Sequence, residues 1–204
     1  MKKQIIAIHG GEVFASYEEY LEYLKNYPVD LDRLIKKTGW KDNLRNDLKN
    51  EWEILSPQMP NFRNAKYQEW KIWFEKLFPF LSDRVVLIGS SLGGIFLVKY
   101  LSENKFPVKI LATFLVAAPF DSGNRRDVDY TLGDFELSQS LEKFQEQSEE
   151  IFLYHSEDDQ VVPVIDAEKY AKALPKAKKV IFHDRGHFNQ ECFPEIVEEV
   201  KRFN

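Results

Sequence analysis

The chain has 204 residues, a length that suits one domain with a sizeable apolar core, and we treat residues 1–204 as a single domain. Its 28 Lys and Arg residues against 33 Asp and Glu residues give a net charge of −5, which argues against a nucleic-acid partner and against binding to an anionic membrane. The single cysteine, Cys192, excludes an internal disulfide and a cysteine-rich zinc site, and the lack of a signal-peptide pattern or a long apolar run predicts a cytoplasmic protein.

Short apolar runs alternate with segments of helical periodicity along the chain. The apolar runs predict six strands, within residues 4–8, 51–57, 84–89, 108–119, 151–155 and 179–183. Strands that are apolar throughout are buried on both faces, and strands joined through helices run parallel, so the sequence predicts an open, mostly parallel sheet with helices on both faces. The predicted helices are marked by Tyr17, Tyr20, Leu21 and Leu24, by Leu31, Leu34 and Ile35, by Trp70, Trp73, Phe74 and Leu77, by the apolar run after Gly94, by Leu137, Leu141 and Phe144, by Ala167, Tyr170, Ala171 and Leu174, and by Phe193, Ile196, Val197 and Val200.

In such a sheet, binding and catalytic sites form beyond the carboxyl ends of the strands. Reactive side chains are therefore expected in the loops that begin at His9, Gly89, Pro119, His155 and His183.

The loop that begins at Gly89 matches the pattern Gly-x-Ser-x-Gly over residues 89–93. It lies between a predicted strand and a predicted helix, which is the context of a nucleophile elbow, a tight turn that projects a serine hydroxyl from the sheet edge. Its glycines are small because strand and helix pass closely, and the amide of Leu92 at the helix start is placed to stabilise an oxyanion. The pattern predicts Ser91 as a nucleophile, with Ser90 directed elsewhere. The alternative is that Ser91 only caps the helix.

A serine nucleophile needs a base to take its proton and an acid to orient that base. The segment after the fifth strand supplies Glu157, Asp158 and Asp159, although acidic pairs are also common in solvated turns. The segment after the sixth strand supplies two histidines. His183 would be the last residue of its strand, where the pleat fixes its direction. His187 follows a turn-forming stretch that ends in glycine, so it has the reach to approach the serine, and we expect it to be the base.

Together these segments resemble the α/β-hydrolase superfamily over nearly the whole chain. The size of the chain, and the segment 57–61 followed by Trp70, are similar to those of the compact serine hydrolases related to the retinoblastoma-binding hydrolase. The resemblance implies the strand order 2-1-3-4-5-6, a minimal lid in the segment 120–137, and no metal. It rests on "IIAIHGGE" at the first strand, "GSSLGG" at the elbow, "VAAPF" after the fourth strand, "HSEDDQVVP" after the fifth and "RGHF" near the end.

The same resemblance implies roles for individual residues. The family's acid motif, His-Gly-x-x-Asp-x-x-Val-Pro, places the acid at Asp159, with Ser156 where the family usually has Gly. The family's base commonly follows a Gly, which matches His187. The second oxyanion donor is implied to be the backbone amide of Gly11, with that of Glu12, one residue later, as the alternative.

These residues predict hydrolysis of a small ester, thioester or amide through an acyl-enzyme, with a small-molecule acyl substrate and no cofactor. Ser91 would attack the carbonyl, His187 would move the proton and Asp159 would orient the imidazole. Two other functions fit the same residues, namely an acyltransferase and a non-catalytic partner-binding module on the same scaffold.

The substrate pocket is less well defined by the sequence. Four aromatic residues either line an acyl pocket or pack in the core, and an arginine pair either meets a substrate carboxylate or is solvated. The aromatic residues are Phe14, Phe120, Tyr130 and Phe135, and the pair is Arg125 and Arg126.

Overall fold

The computed structural model describes residues 3–29, 31, 39–49, 51–123, 131–138 and 140–203. Three expectations from the sequence fall outside these ranges. They are the helical pattern at Leu34 and Ile35, the pocket position of Tyr130, and the pair Arg125 and Arg126.

The fold is built on one sheet of six strands in which every neighbouring pair is parallel. The order is β2-β1-β3-β4-β5-β6, so the predicted sheet and its strand order are confirmed. The inner strands are buried on both faces because helices cover both sides of the sheet. The strands are β1 (Lys3–Ile8), β2 (Trp52–Leu55), β3 (Arg84–Ser90), β4 (Lys109–Val116), β5 (Ser148–Ser156) and β6 (Lys178–Phe182).

The described helices divide between the two faces of the sheet. The apolar core on one face includes side chains from α3, α4, α5 and α6, and the core on the other face includes side chains from α2 and α7. The helices are α1 (Tyr17–Asn26), α2 (Trp40–Leu48), α3 (Tyr67–Glu75), α4 (Leu92–Glu103), α5 (Glu142–Gln147), α6 (Ile165–Ala173) and α7 (Pro194–Lys201), with 3-10 turns at Phe62–Asn64, Phe78–Phe80 and Gly133–Phe135.

Helix α2 was not predicted from the sequence. It is mostly polar, and only Trp40, Leu44 and Leu48 are buried, one at every fourth residue. That spacing is the helical signal that was available. It was weak because a single narrow stripe of three apolar residues meets the core.

Three details of the helices and strands differ from what the sequence patterns predict. Trp73 is 45% exposed, because the buried stripe of α3 runs through Tyr67, Trp70 and Phe74 instead. Helix α1 has the predicted helical form but none of its residues is buried. Strand β6 ends at Phe182, one residue before His183, so the expectation that His183 is the last residue of its strand is wrong.

Candidate active site

The turn between β3 and α4 holds Ser91 in a strained backbone conformation. Its φ is 53° and its ψ is −126°, a region that residues with a side chain adopt at a cost on the order of 1–3 kcal/mol. The amide of Ser91 donates to the carbonyl of Val116 at the end of β4 (2.8 Å). Ser91 occupies the N-cap position of α4, but its hydroxyl makes no capping hydrogen bond, so the side chain does not serve as a helix cap. Ser90 is buried at the end of β3.

The glycines on either side of the turn are required by close backbone contact, as the sequence predicted. A Cβ at Gly89 would lie 2.5 Å from the carbonyl oxygen of Gly93. A Cβ at Gly93 would lie 2.5 Å from the carbonyl oxygen of Ile8 in β1. Either side chain would force the strand and the helix apart and displace the serine.

A buried carboxylate and a partly exposed imidazole form a close pair beside this turn. Asp159 Oδ2 lies 2.8 Å from His187 Nδ1. The other oxygen, Oδ1, accepts from the amides of Val161 (2.8 Å) and Val162 (2.9 Å). The carboxylate therefore has three donors and a fixed orientation, and it holds the Nδ1–H tautomer of His187, which leaves Nε2 as the proton acceptor.

The neighbouring acid, Asp158, binds groups other than His187. Asp158 Oδ1 accepts from the amide of Gly186 (2.8 Å) and from the hydroxyl of Ser156 (2.5 Å). These hydrogen bonds hold the pKa of Asp158 below its usual range. Ser156 Oγ in turn accepts from the amide of Arg185 (3.0 Å). Asp158 and Ser156 thus brace the loop that carries His187, and this accounts for Ser156 where the related motif has Gly.

Three other acidic and histidine side chains of the predicted loops lie elsewhere. His183 is on the surface, with 80% of its side chain exposed, and its Nδ1 lies 2.7 Å from Glu157. Asp121, after β4, accepts from Lys169 (2.7 Å). None of these three polar side chains contacts His187 or Ser91 by a hydrogen bond within the described ranges.

A second histidine lies beneath the acid. His155 is buried at the end of β5, its Nε2 donates to the carbonyl of Val162 (2.8 Å), and it lies 3.8 Å from Asp159 Oδ2. Burial lowers the pKa of His155. A neutral imidazole here ties the turn that supplies Val161 and Val162 to the strand, which keeps the carboxylate in place.

The loop after β1 approaches the serine directly. A Cβ at Gly10 would lie 3.5 Å from Ser91 Oγ, so the bare backbone of Gly10 keeps the hydroxyl accessible. His9 Nε2 accepts from the amide of Met59 (2.9 Å), so its Nδ1 carries the proton and donates to the carbonyl of Gly10 (2.6 Å). Burial lowers the pKa of His9, which favours this neutral form. The amide of Glu12 already donates to the carbonyl of Phe62 (2.8 Å).

Ser91 and His187 open into the same cavity, which has a volume of about 780 Å³. Its wall also includes Gly10 and Gly11 from the loop after β1. The elbow, the histidine loop and the first loop therefore meet at the carboxyl edge of the sheet, as the rule for parallel sheets predicts.

The aromatic residues of the cavity are not those singled out in the sequence. Tyr27, Trp40, Phe62 and Phe188 line it. By contrast, Phe135 is buried against Tyr67 and Trp70, Phe120 packs on Tyr170, and Phe14 packs on Tyr20 and Tyr23. For Phe120 and Phe135 the alternative of core packing is the correct one, whereas Phe14 packs on α1 and neither lines the cavity nor belongs to the core. Of the described residues in 120–137 none lines the cavity.

The sequence also missed the contribution of α2 to the site. Trp40 begins that helix, its indole donates to the carbonyl of Phe188 (3.0 Å), and its amide donates to the carbonyl of Gln190 (3.1 Å). The start of α2 therefore fixes the segment that follows His187. The signal that could have found it is the spacing of Trp40, Leu44 and Leu48.

Neither a metal site nor a membrane-spanning helix is found in the described part of the chain. No group of three or more His, Cys, Asp or Glu side chains there is arranged to hold a metal ion. Among the same residues, no helix combines the length and the apolar character needed to cross a membrane.

Comparison with known proteins places this geometry in a family. The serine hydrolase family matches residues 35–201. The chain is 26% identical over 165 residues to the serine hydrolase RBBP9 of Rattus norvegicus, covering 80% of this chain and 85% of that protein.

Solved structures support the same fold. The ydeN gene product of B. subtilis superposes with a TM-score of 0.74 at 19% identity, covering 99% of this chain and 98% of that one. The esterase domain of a Rhodothermus marinus protein superposes with a TM-score of 0.62 at 15% identity, covering 98% and 85%. The sheet order is that of the α/β-hydrolase fold. Because the family match covers most of the chain, the chain belongs to the serine hydrolase family.

Proposed function

We propose that the protein hydrolyses a small ester, thioester or amide through an acyl-enzyme, with Ser91 as nucleophile, His187 as base and Asp159 as orienting acid. The observation that carries this proposal is the pair of the buried Asp159 and the partly exposed His187, joined at 2.8 Å, in which His187 opens into the same cavity as a serine held on a strained turn. Backbone strain of this kind persists where the surrounding structure enforces it, which is typical of active sites.

In the proposed reaction His187 Nε2 takes the proton, because His187 Nδ1 is engaged by Asp159. Ser91 Oγ attacks the substrate carbonyl carbon while His187 Nε2 takes the hydroxyl proton, and the imidazolium forms against the Asp159 carboxylate. The proton then passes to the leaving group as its bond to the carbonyl carbon breaks, leaving the acyl group on Ser91. Water, deprotonated by His187, attacks the acyl-enzyme and releases the acid product and the free serine.

Two backbone amides are proposed to hold the oxyanion. Leu92 is the first residue of α4, where an amide has no partner within the helix and the helix dipole favours negative charge. Gly11 is preferred to Glu12 as the second donor, because the amide of Glu12 is already engaged with Phe62. His9 supports this arrangement, since it fixes the carbonyl of Gly10, and the amide of Gly11 belongs to the same planar peptide and points the opposite way.

A fluorophosphonate probe tests the nucleophile. The wild-type protein and Ser90→Ala should be labelled, and Ser91→Ala should not be labelled while its thermal unfolding stays cooperative. Release of 4-nitrophenol from esters of increasing acyl length should follow the same pattern. Normal labelling of Ser91→Ala would contradict the mechanism, and a wild-type protein that is neither labelled nor active would favour the non-catalytic binding module.

A further inference from the structure

The cavity beside Ser91 contains a positive charge that the proposed chemistry does not use. Lys41, the second residue of α2, lines the cavity and is partly buried. Its ammonium lies 5.5 Å from the centroid of the Trp40 ring. Within the described residues Lys41 makes neither an ion pair nor a hydrogen bond.

Within the described ranges, no carboxylate forms an ion pair with Lys41. Among the described residues, Asp42 is the carboxylate that acts on it, and this side chain faces the helix start, where it accepts from the amide of Gly39 (3.3 Å). Burial lowers the pKa of Lys41 to about 8, more than Asp42 restores. The side chain is still mostly an ammonium at neutral pH. A partly desolvated cation in the wall of a cavity is stabilised by an anion that enters the cavity.

A second donor in the same wall also has no acceptor. Gln190 lines the cavity, and its Nε2 is buried without a hydrogen-bond partner among the described residues. The two residues belong to adjoining segments, because the amide of Trp40 donates to the carbonyl of Gln190. A buried donor without an acceptor costs free energy, and an acceptor group on a ligand would remove that cost.

The other two charged side chains among the described residues that line the cavity, Arg63 and Glu12, have opposite signs. Arg63 lies 5.1 Å from the ring centroid of Tyr27 and 5.4 Å from that of Phe62. Glu12 is the carboxylate on this side of the cavity, and it acts on both Arg63 and Tyr23. Among the described residues that line the cavity, this leaves one uncompensated positive charge, at Lys41. One positive charge balances a carboxylate but only half of a phosphate dianion, and Glu12 repels the dianion more strongly than the carboxylate.

We propose that the substrate carries a carboxylate in addition to its scissile carbonyl, and that Lys41, with Gln190, binds this carboxylate. Lys41 is thereby a specificity residue of the hydrolase, and neutral esters are the poorer substrates. This inference rests on the proposed function, because its kinetic test measures ester hydrolysis. The carboxylate belongs either to the acyl group or to the leaving group, and paired substrates distinguish the two.

Paired esters test the inference through a selectivity ratio. For the acyl side, mono(4-nitrophenyl) adipate and suberate are compared with 4-nitrophenyl hexanoate and octanoate. For the leaving-group side, 4-acetoxybenzoate is compared with methyl 4-acetoxybenzoate. The readout is the kcat/KM of the charged ester divided by that of its neutral partner, which does not depend on the fraction of folded enzyme.

The wild-type protein should prefer the charged member of one series. That ratio should fall at least about tenfold in Lys41→Met, which keeps the length of the side chain and removes the charge, and Lys41→Arg should retain most of it. Lys76→Met, an exposed lysine outside the cavity, is the matched control and should leave the ratio unchanged. Equal ratios in the wild type and Lys41→Met across both series would overturn the inference and leave the proposed hydrolysis standing.

Binding without turnover separates the two proposals. Saturation-transfer NMR on Ser91→Ala should detect monomethyl adipate or monomethyl suberate more strongly than methyl hexanoate or methyl octanoate, and Lys41→Met in that background should abolish the difference. Binding that depends on Lys41 would support the inference even when no ester is hydrolysed. Equal binding of charged and neutral compounds would overturn it even when Ser91 is shown to be the nucleophile.

Discussion

Replacing Asp159 by Asn tests the central pair with almost no change in shape. The carboxylate accepts from three donors: two backbone amides bind Oδ1, and His187 Nδ1 binds Oδ2. An asparagine has one acceptor oxygen, and the two backbone amides will hold it at the Oδ1 position. The amide nitrogen then faces His187 Nδ1 and donates to it, so the imidazole proton moves to Nε2.

An imidazole protonated at Nε2 cannot take the proton of Ser91. The equivalent change in a comparable triad lowers turnover about 10⁴-fold, which corresponds to about 5 kcal/mol of activation free energy. We expect a loss of this size in kcat for Asp159→Asn. The backbone hydrogen bonds are kept, so we expect cooperative unfolding with a Tm close to that of the wild type.

Asp158→Asn is the matched control, one residue away. Its oxygen accepts from Gly186 and Ser156, and an asparagine oxygen can accept both hydrogen bonds, so kcat should fall by less than about tenfold. The assay is 4-nitrophenyl ester hydrolysis over a range of pH, with Tm measured for each variant. A loss below tenfold in Asp159→Asn would refute the tautomer argument, and a larger loss in Asp158→Asn would move the acid to that residue.

Three further predictions concern the base, the elbow and the buried histidines. His187→Ala should remove nearly all ester hydrolysis, whereas His183→Ala, whose imidazole is exposed, should hydrolyse at close to the wild-type rate; wild-type turnover in His187→Ala would overturn the assignment. Gly93→Ala places a Cβ 2.5 Å from a carbonyl oxygen of β1, so the free energy of unfolding should fall by about 3 kcal/mol and Tm by roughly 6–12 °C, and an unchanged Tm would show that the strand and helix can separate. Burial lowers the pKa of His9 and His155 in the folded protein, so the unfolded chain binds protons more readily at these residues. The stability that the two neutral histidines contribute is fully present above about pH 6.5 and is lost as the pH falls through their folded pKa values. Tm should therefore decrease between about pH 7 and pH 5, and a constant Tm would contradict the neutral assignment.

The sheet and the elbow could be predicted because their signals are local. Each strand is a short apolar run that ends in a turn, and the order of strands and helices along the chain requires parallel pairing. The glycines at 89 and 93 also report a local constraint, the close passage of β3 and α4, and the structure bears out that steric reason. His187 could be preferred to His183 before any contact was known because it follows a turn that ends in glycine, although His183 does not end its strand as expected.

Only the tertiary structure decided which groups meet across the site. The backbone of the loop after β5 places Asp159 against His187 and Asp158 against the amide of Gly186, although the two residues have the same charge and nearly the same neighbours in sequence. The engagement of the Glu12 amide depends on the carbonyl of Phe62, which lies 50 residues away along the chain. No periodicity encodes a hydrogen bond between distant segments.

The substrate cavity is the clearest case of this limit. Lys41 and Gln190 lie on segments about 150 residues apart, and α2 itself gave only a narrow apolar stripe, so neither residue stood out in the sequence. Their placement depends on how α2 docks against the loop after β6, through Trp40 and the backbone of that loop. The sequence by itself determined the fold and the tight strand-to-helix turn that carries Ser91, because these follow from local packing patterns, whereas the charge and shape of the cavity come from the docking of distant segments.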